Sequence, residues 1–337
     1  MFPSSFLRLA ILVVAFDCAL VPAAEPSSAF IIGADISWVQ QQETEGRRWS
    51  DAGVEKDIFT ILKNHGFNWV RLRVFVNPSD EGGYSKEGFC DLGHTLEMAR
   101  RIKAAGMRFL LNFHYSDTWA DPGHQRKPET WVDLHGAELA KAVHDHTRDV
   151  MTSLKKQGTS PDMVQIGNEI NHGMLWPDGK VWKAGKWDVF CGLIKAGIVA
   201  AREVDPSVKI MVHLALGGQN AKSRAFLDRT LAHGVKFDII GQSYYPKWHG
   251  TLEDLKTNLT DLAQRYEQPI IVVEYSVPNI REINDLVCGL PNGKGLGTFI
   301  WEPTKWQGGV LFDVTGNTKL EIDVYPKMVQ DYRNRGR

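Results

Sequence analysis

The sequence predicts an α/β chain closed into a (β/α)8 TIM barrel of one domain, and three observations carry that expectation. Eight short runs rich in Val, Ile and Phe recur along the chain, of a length and composition that suit parallel strands buried on both faces. Helical patterns lie between the runs, and in "NHGFNWV", "AAGMRFL" and "AHGVKFDI" a glycine ends a helix just before the next run begins, as short αβ loops require. No segment rich in Pro, Gly or Ser divides the chain, so one barrel is expected over 25–337 although 337 residues would allow two domains. An open doubly wound sheet is the alternative, and it accounts less simply for eight repeats.

In chain order, residues 1–24 read as a signal peptide: Arg8 precedes the apolar "AILVVAF", and "VPA" at 21–23 supplies small residues for cleavage. That run is too short to span a bilayer. The expected mature chain starts near Ala24 or Glu25 and is secreted or periplasmic. The predicted strands follow at "FIIGADIS" (30–37), "WVRLRVF" (69–75), "RFLLNFHY" (108–115) and "MVQIGNE" (163–169). The second half supplies "VKIMVHL" (208–214), "DIIGQSYY" (238–245), "IIVVEYS" (270–276) and "GTFIWEP" (297–303). Among the helices, "GVEKDIFTILKNHG" (53–66) puts Ile58, Ile61 and Leu62 on one side, and "DLGHTLEMARRIKAAG" (91–106) opens on a capping Asp91. "TLEDLKTNLTDLAQRYEQ" (251–268) has Thr251 and Asp254 at capping-box spacing.

Composition narrows the partners. A formal net charge of −1 without a long basic run argues against nucleic acid, and a chain freed of its leader needs no membrane. A monomer acting on a soluble or polymeric substrate is expected. Cys90, Cys191 and Cys288 remain after the leader, an odd number; Cys191 and Cys288 sit in apolar helical patterns and read as small buried thiols. Spacing alone leaves open whether any of the three pair, and none of it suggests zinc.

In such a barrel the active site forms at the C-terminal ends of the strands. Those ends carry Asp35, Arg73, His114, Asn168 with Glu169, His213, Tyr244 or Tyr245, Glu274, and Trp301 with Glu302. Two acids at the ends of the fourth and seventh runs project across one mouth, and a pair of carboxylates is what glycoside hydrolysis needs. Two unrelated salt bridges would be the plain structural explanation; both acids ending strands, with Asn168 before the first, favours a reactive pair. Asn168 is placed to bond a sugar 2-hydroxyl, Arg73 to keep Glu274 ionised, and Tyr245 to donate to the same carboxylate. Glu169 needs the opposite tuning, towards its protonated form. His114, Asp117, Asp121 and His124 lie close in sequence and invite a metal, but the first run, ending "GADIS", lacks the paired histidines of metal-dependent barrel hydrolases. No metal and no cofactor is therefore expected. Trp119, Trp176, Trp248, Trp301 and Trp306 suit stacking on sugar rings, with packing as the alternative for some of them.

With those residues in place, the chain resembles the glycoside hydrolase family 53 endo-β-1,4-galactanases, retaining enzymes of clan A. The resemblance spans about residues 30–330 and rests on "GADIS", "VRLRVFVNP", "NFHYSDTWADPGHQRKP", "QIGNEINHGMLWPDGK", "SYYPKWHGTL", "VVE" and "WEP" in matching order. It implies Glu169 as acid/base, Glu274 as nucleophile, and Asp35, Arg73, His114, Asp117, Trp119, Asn168, His213, Tyr245, Trp248 and Trp301 as site-lining groups. The substrate it implies is β-1,4-galactan of arabinogalactan type I. The chain departs from the family pattern at Ala215 and Leu216, where an Asp and an Asn are usual, and at Tyr275, Ser276 and Val277 after the nucleophile. The long loop that binds calcium in some relatives is replaced by a short helical segment, so no calcium is expected. A clan A hydrolase of another β-linked sugar, or a carbohydrate-binding barrel without catalysis, are the competing functions.

Overall fold

Each of the eight apolar runs becomes a strand: β1 Ile31–Asp35, β2 Trp69–Val74, β3 Arg108–Phe113, β4 Met163–Ile166, β5 Lys209–Leu214, β6 Ile239–Tyr244, β7 Ile270–Tyr275 and β8 Gly295–Trp301. The computed structural model describes residues 30–334 except 184, 277 and 278, so the leader and the Val277 departure lie outside the described residues. All neighbouring strands pair in parallel, and β1 bonds both β2 and β8, which closes the barrel.

Side chains alternate across each strand, so one set fills the barrel and the other faces the helices. Ile31, Trp69, Leu110, Met163, Met211 and Phe299 belong to an inner apolar cluster near the strand starts. Two residues further along, the inward positions turn polar: Arg71 follows Trp69, Asn112 follows Leu110, Gln165 follows Met163 and His213 follows Met211. All four are buried. The lower barrel is thus a dry plug, and the layer above it is a polar floor under the mouth.

Eight helices surround the strands: α1 Ile58–Asn64, α2 Leu92–Ala104, α3 Gly136–Gln157, α4 Trp187–Val204, α5 Asn220–Ala232, α6 Leu252–Arg265, α7 Ile280–Cys288 and α8 Val324–Asn334. Their apolar stripes, with Ile61, Leu62, Met98, Ile102, Leu154 and Ile194, pack on the outward faces of the strands. The helix expected over 53–66 is shorter than its pattern. Ser50–Asp51 and Val54–Glu55 pair as a small hairpin, and Asp57 starts α1 by accepting from the backbone N–H groups of Phe59 and Thr60. Gly53 holds a φ of 79° in the hairpin turn, a conformation that excludes helix there. Asp91 caps α2 through the His94 N–H, and Thr251 and Asp254 form the reciprocal capping box of α6. Gly66, Gly106 and Gly234 all take positive φ in their αβ turns. Cys90, Cys191 and Cys288 are all buried. No helix among the described residues is long and apolar enough to cross a membrane.

The α6 cap gives a direct check on this reading of helix ends. Thr251→Ala removes the acceptor for the Asp254 N–H and the hydroxyl donor to its carboxylate, leaving only the residue 251 N–H on that carboxylate. A loss of about 1 kcal/mol in urea unfolding is expected.

Candidate active site

β4 ends at Ile166, three residues before the acid that its sequence delivers. Gly167 and Glu169 both take left-handed backbone, at φ 78° and 49°. A Cβ on Gly167 would lie 2.6 Å from Ile170 Cγ2, so only glycine fits the turn. The Ile170 N–H donates to His213 O on the neighbouring strand at 3.0 Å and fixes the segment. Glu169 is held in a conformation that a side chain adopts at a cost, a mark of a position set by function. Across the mouth, a register shift of β6 against β7 at Gln242/Ser243 pairs Ser243 with Glu274. One carboxylate oxygen of Glu169 and one of Glu274 come within 4.8 Å, and each residue is 8% exposed.

Between the acids and the polar floor lies Arg71, 1% exposed. Its Nη1 donates to Asp35 Oδ2 at 2.8 Å and to Glu274 Oε2 at 3.0 Å. Its Nη2 donates to Gln165 Oε1 at 3.1 Å and Asn168 Oδ1 at 2.9 Å. Tyr245 donates its hydroxyl to the other Glu274 oxygen at 2.9 Å. Arg71, not Arg73, is therefore the cation beside Glu274. Both arginines alternate inward from Trp69, so the face of the strand alone does not separate them. Arg73 lies one step nearer the mouth, where its Nη1 bonds Glu302 Oε1 at 2.8 Å.

The two acids sit in different surroundings. Burial first, and then the negative charge of Glu274, push Glu169 up to about 8. Burial also raises Glu274, but Arg71 and the Tyr245 hydroxyl pull it back. Of the two, Glu274 is the acid that ionises first, because the guanidinium touches it and not Glu169. Ser243 Oγ lies 2.6 Å from Glu169 Oε1, and His213 Nε2 lies 2.8 Å from the same hydroxyl. Glu169, His213 and Glu274 are close enough to suggest a cation site. Both nitrogens of His213 already have partners in Ser243 and Asn168, and Arg71 already supplies positive charge to Glu274, so the donor set suits a proton rather than a metal.

A cavity of about 190 Å³ opens above the pair, on the scale of one pyranose ring. Asp35, Arg73, His114, Trp119, Asn168 and Trp301 line it beside the two acids, as do Arg71 and Asp121. Trp119 lies over the Arg73 guanidinium at 4.3 Å, and Trp301 meets Trp119 edge to face at 6.4 Å. His114 is neutral, held well below the usual histidine range by burial and the two arginines. Its Nδ1 accepts from the Ala120 N–H at 3.1 Å, which leaves the protonated Nε2 as its donor.

Three expected lining groups stand elsewhere. His213 is fully buried beneath the mouth, because β5 turns it towards the polar floor. Asp117 accepts from the Asn77 and Glu129 N–H groups at 2.8 and 2.7 Å, so both its oxygens tie loops together. Trp248, on the single turn Pro246–His249, is 66% exposed and outside the cavity wall. Asp121, half-buried in the cavity wall, pairs with the exposed His124 beside it. At the fifth strand, the Ala215 N–H donates to Asn171 Oδ1 at 3.1 Å, and Leu216 packs in the outer core rather than into the cavity. Arg71, Asn112, Gln165 and Ser243 were missed as site groups; their signal was the period-two alternation that puts each on the inward face.

Comparisons with known proteins agree with this geometry. The model of glycosyl hydrolase family 53 matches residues 31–286. A protein of Niallia circulans named "Uncharacterized protein in bgaB 5'region" is 42% identical over 315 residues, covering 82% of this chain and 84% of its own. The arabinogalactan endo-beta-1,4-galactanase of Humicola insolens is 34% identical over 307 residues, covering 80% and 88%. The solved GH53 catalytic domain of Ignisphaera aggregans superposes with a TM-score of 0.80 at 35% identity, over 92% of this chain and 98% of that one. With the family match spanning most of the barrel, the chain belongs to glycosyl hydrolase family 53.

Proposed function

We propose that this chain is an exported endo-β-1,4-galactanase that cleaves β-1,4-galactan of arabinogalactan type I with retention of anomeric configuration. One observation carries the proposal: two buried carboxylates face each other within 4.8 Å, one kept protonated and one held by a guanidinium. Retaining glycosidases place their acids about 5–5.5 Å apart, whereas inverting enzymes need room for a water. The galactan assignment rests on relatives named as arabinogalactan endo-β-1,4-galactanases, and export on Arg8 and the apolar run behind it. Another β-linked sugar is the second reading, favoured by Ala215 and Leu216 at the fifth strand.

The chemistry follows from the surroundings of each acid. Glu169 arrives protonated and gives its proton to the leaving glycosidic oxygen. Glu274, with its charge fixed by Arg71 and Tyr245, attacks the anomeric carbon and forms a glycosyl ester. The Glu169 carboxylate then takes a proton from water, which attacks the ester and releases the sugar. Asn168 spends one amide hydrogen on Ala120 O, and the other is the donor for the sugar 2-hydroxyl. Trp119 and Trp301 give the sugar ring its apolar walls.

Glu169→Gln and Glu274→Gln are expected to fold and to lose at least ~100-fold in reducing-end release from β-1,4-galactan. On an activated aryl glycoside Glu169→Gln should lose less, because a good leaving group needs little protonation; equal losses on both substrates would remove Glu169 from the acid role. Comparing galactan with arabinogalactan and mannan tests the sugar, and efficient cleavage of mannan without galactan would defeat the galactan assignment. Proton NMR of the first-formed product should show the β-anomer, while an initial α-anomer would mean inversion. Because the proton on Glu169 is essential and is lost near pH 8, kcat/KM should fall as the pH rises through about 8. A profile still flat at two units above that value would show that another group is the acid.

A further inference from the structure

The hydrogen bonds beneath the carboxylate pair have a direction, and that direction reaches Glu169. A guanidinium only donates, so the contacts of Arg71 Nη2 fix which end of Gln165 and of Asn168 is the carbonyl. Gln165 is left with two amide hydrogens, and its Nε2 lies 2.6 Å from Asn112 Oδ1 and 3.0 Å from both Gly167 O and Asn168 Oδ1. His213 Nδ1 lies 3.0 Å from Asn168 Oδ1, an atom that only accepts. It also lies 3.1 Å from Gln165 Nε2, which has three closer oxygens for its two hydrogens. His213 is fully buried, and burial with the nearby Arg71 charge holds it well below the usual histidine range, so its ring carries one proton. Asn168 Oδ1 can only accept, so a proton on Nδ1 meets an acceptor, whereas a proton on Nε2 would leave Nδ1 and Asn168 Oδ1 facing each other as two acceptors at 3.0 Å.

His213 Nε2 is then a bare acceptor, 2.8 Å from Ser243 Oγ. The serine has one proton to give and gives it to His213. Its oxygen, 2.6 Å from Glu169 Oε1, is left to accept.

We propose that Ser243 and His213 are positioning residues that hold Glu169 in its acid form in the free enzyme. The chain runs from Glu169 Oε1–H to Ser243 Oγ, from Ser243 Oγ–H to His213 Nε2, and from His213 Nδ1–H to Asn168 Oδ1. A serine without such a histidine would donate to the carboxylate and favour its ionised form instead. The proposal rests on Glu169 being the acid of the hydrolysis. When substrate enters, a turn of the carboxyl group presents its proton to the leaving oxygen, and the Ser243 O–H swings from His213 to the bare Glu169 oxygen. No bond at serine breaks; the proton passes from Glu169 to the leaving group and is later replaced from water.

Two measurements on the whole protein test this wiring. Nitrogen NMR of the free enzyme reads the imidazole, with the His213 signals identified by their loss in His213→Gln. The expected spectrum has a proton on Nδ1 and none on Nε2 below pH 7, and a proton on Nε2 overturns the proposal. The second is the pH profile of kcat/KM, which reports the free enzyme's acid. In Ser243→Ala its basic limb should move down by about half a unit to one unit, the size of one net hydrogen bond. A limb that moves up, or stays in place, overturns the proposal; a purely structural serine would lower kcat/KM at every pH without displacing the limb. A native enzyme that cleaves no galactan would defeat the proposed function, and the NMR result would still decide the direction of the chain.

Discussion

Arg71 brings a full positive charge to a position 1% exposed, where it is tolerable only because all four of its Nη hydrogens meet oxygen acceptors. A buried cation left without partners costs several kcal/mol, so the surrounding groups are constrained as a set. Asp35 is the permanent counter-ion, held in turn by the Ser37 hydroxyl at 2.8 Å. Glu274 shares the same nitrogen, which makes its negative charge part of the fold's own balance. Gln165 and Asn168 take the two Nη2 hydrogens and extend the polarity into the barrel floor, while the buried Nε–H finds no partner. A lysine at this place could not reproduce the two-sided geometry, since only the planar fork reaches four acceptors in fixed directions.

The two-layer interior of the barrel explains why so polar a floor is stable. Below it, Trp69 and Phe299 meet edge to face at 6.3 Å in an apolar cluster that separates the floor from the strand starts. Low local polarity strengthens each satisfied hydrogen bond and penalises each broken one. The mouth gathers two buried arginines, Arg71 and Arg73, against four buried acids, Asp35, Glu169, Glu274 and Glu302. Protonation relieves the excess of acid: burial pushes both Glu169 and Glu302 up to about 8. One of these protons faces the cavity; the other lies in the wall.

The wall is a second, separate construction. Glu302 at φ 41° accepts from Arg73 and from the Trp38 N–H, and Arg73 lies beneath the faces of Trp119 and Trp38 at 4.3 and 5.5 Å. The guanidinium thus supports the aromatic side of the cavity rather than Glu274. Lys305 stands 4.6 Å over the Trp301 ring and 3.2 Å from Ser276 Oγ, extending the same pattern of cations under and over tryptophans. Such contacts hold the orientation of the tryptophan rings.

The sequence by itself determined the eight strands, most of their helices and the two acids, because each is written locally. Apolar runs, a glycine at the end of a helix, and Thr251 with Asp254 at capping-box spacing act within a few residues of one another. Glu169 and Glu274 were legible for the same reason, each being an ionisable group at the end of an apolar run. What the tertiary structure decided is which groups meet. Arg71 and Arg73 share a face of β2 and differ by one step of the pleat, and only ring closure puts the lower one against Glu274 and the upper one against Glu302. Likewise His213 and Ser243 ended on adjacent strands with no sequence sign of a joint role; the register of β5, β6 and β7 brought them under Glu169. Period-two alternation told which face each residue takes, but depth along the barrel depends on shear between strands that pair across long stretches of chain, and no local pattern carries that quantity.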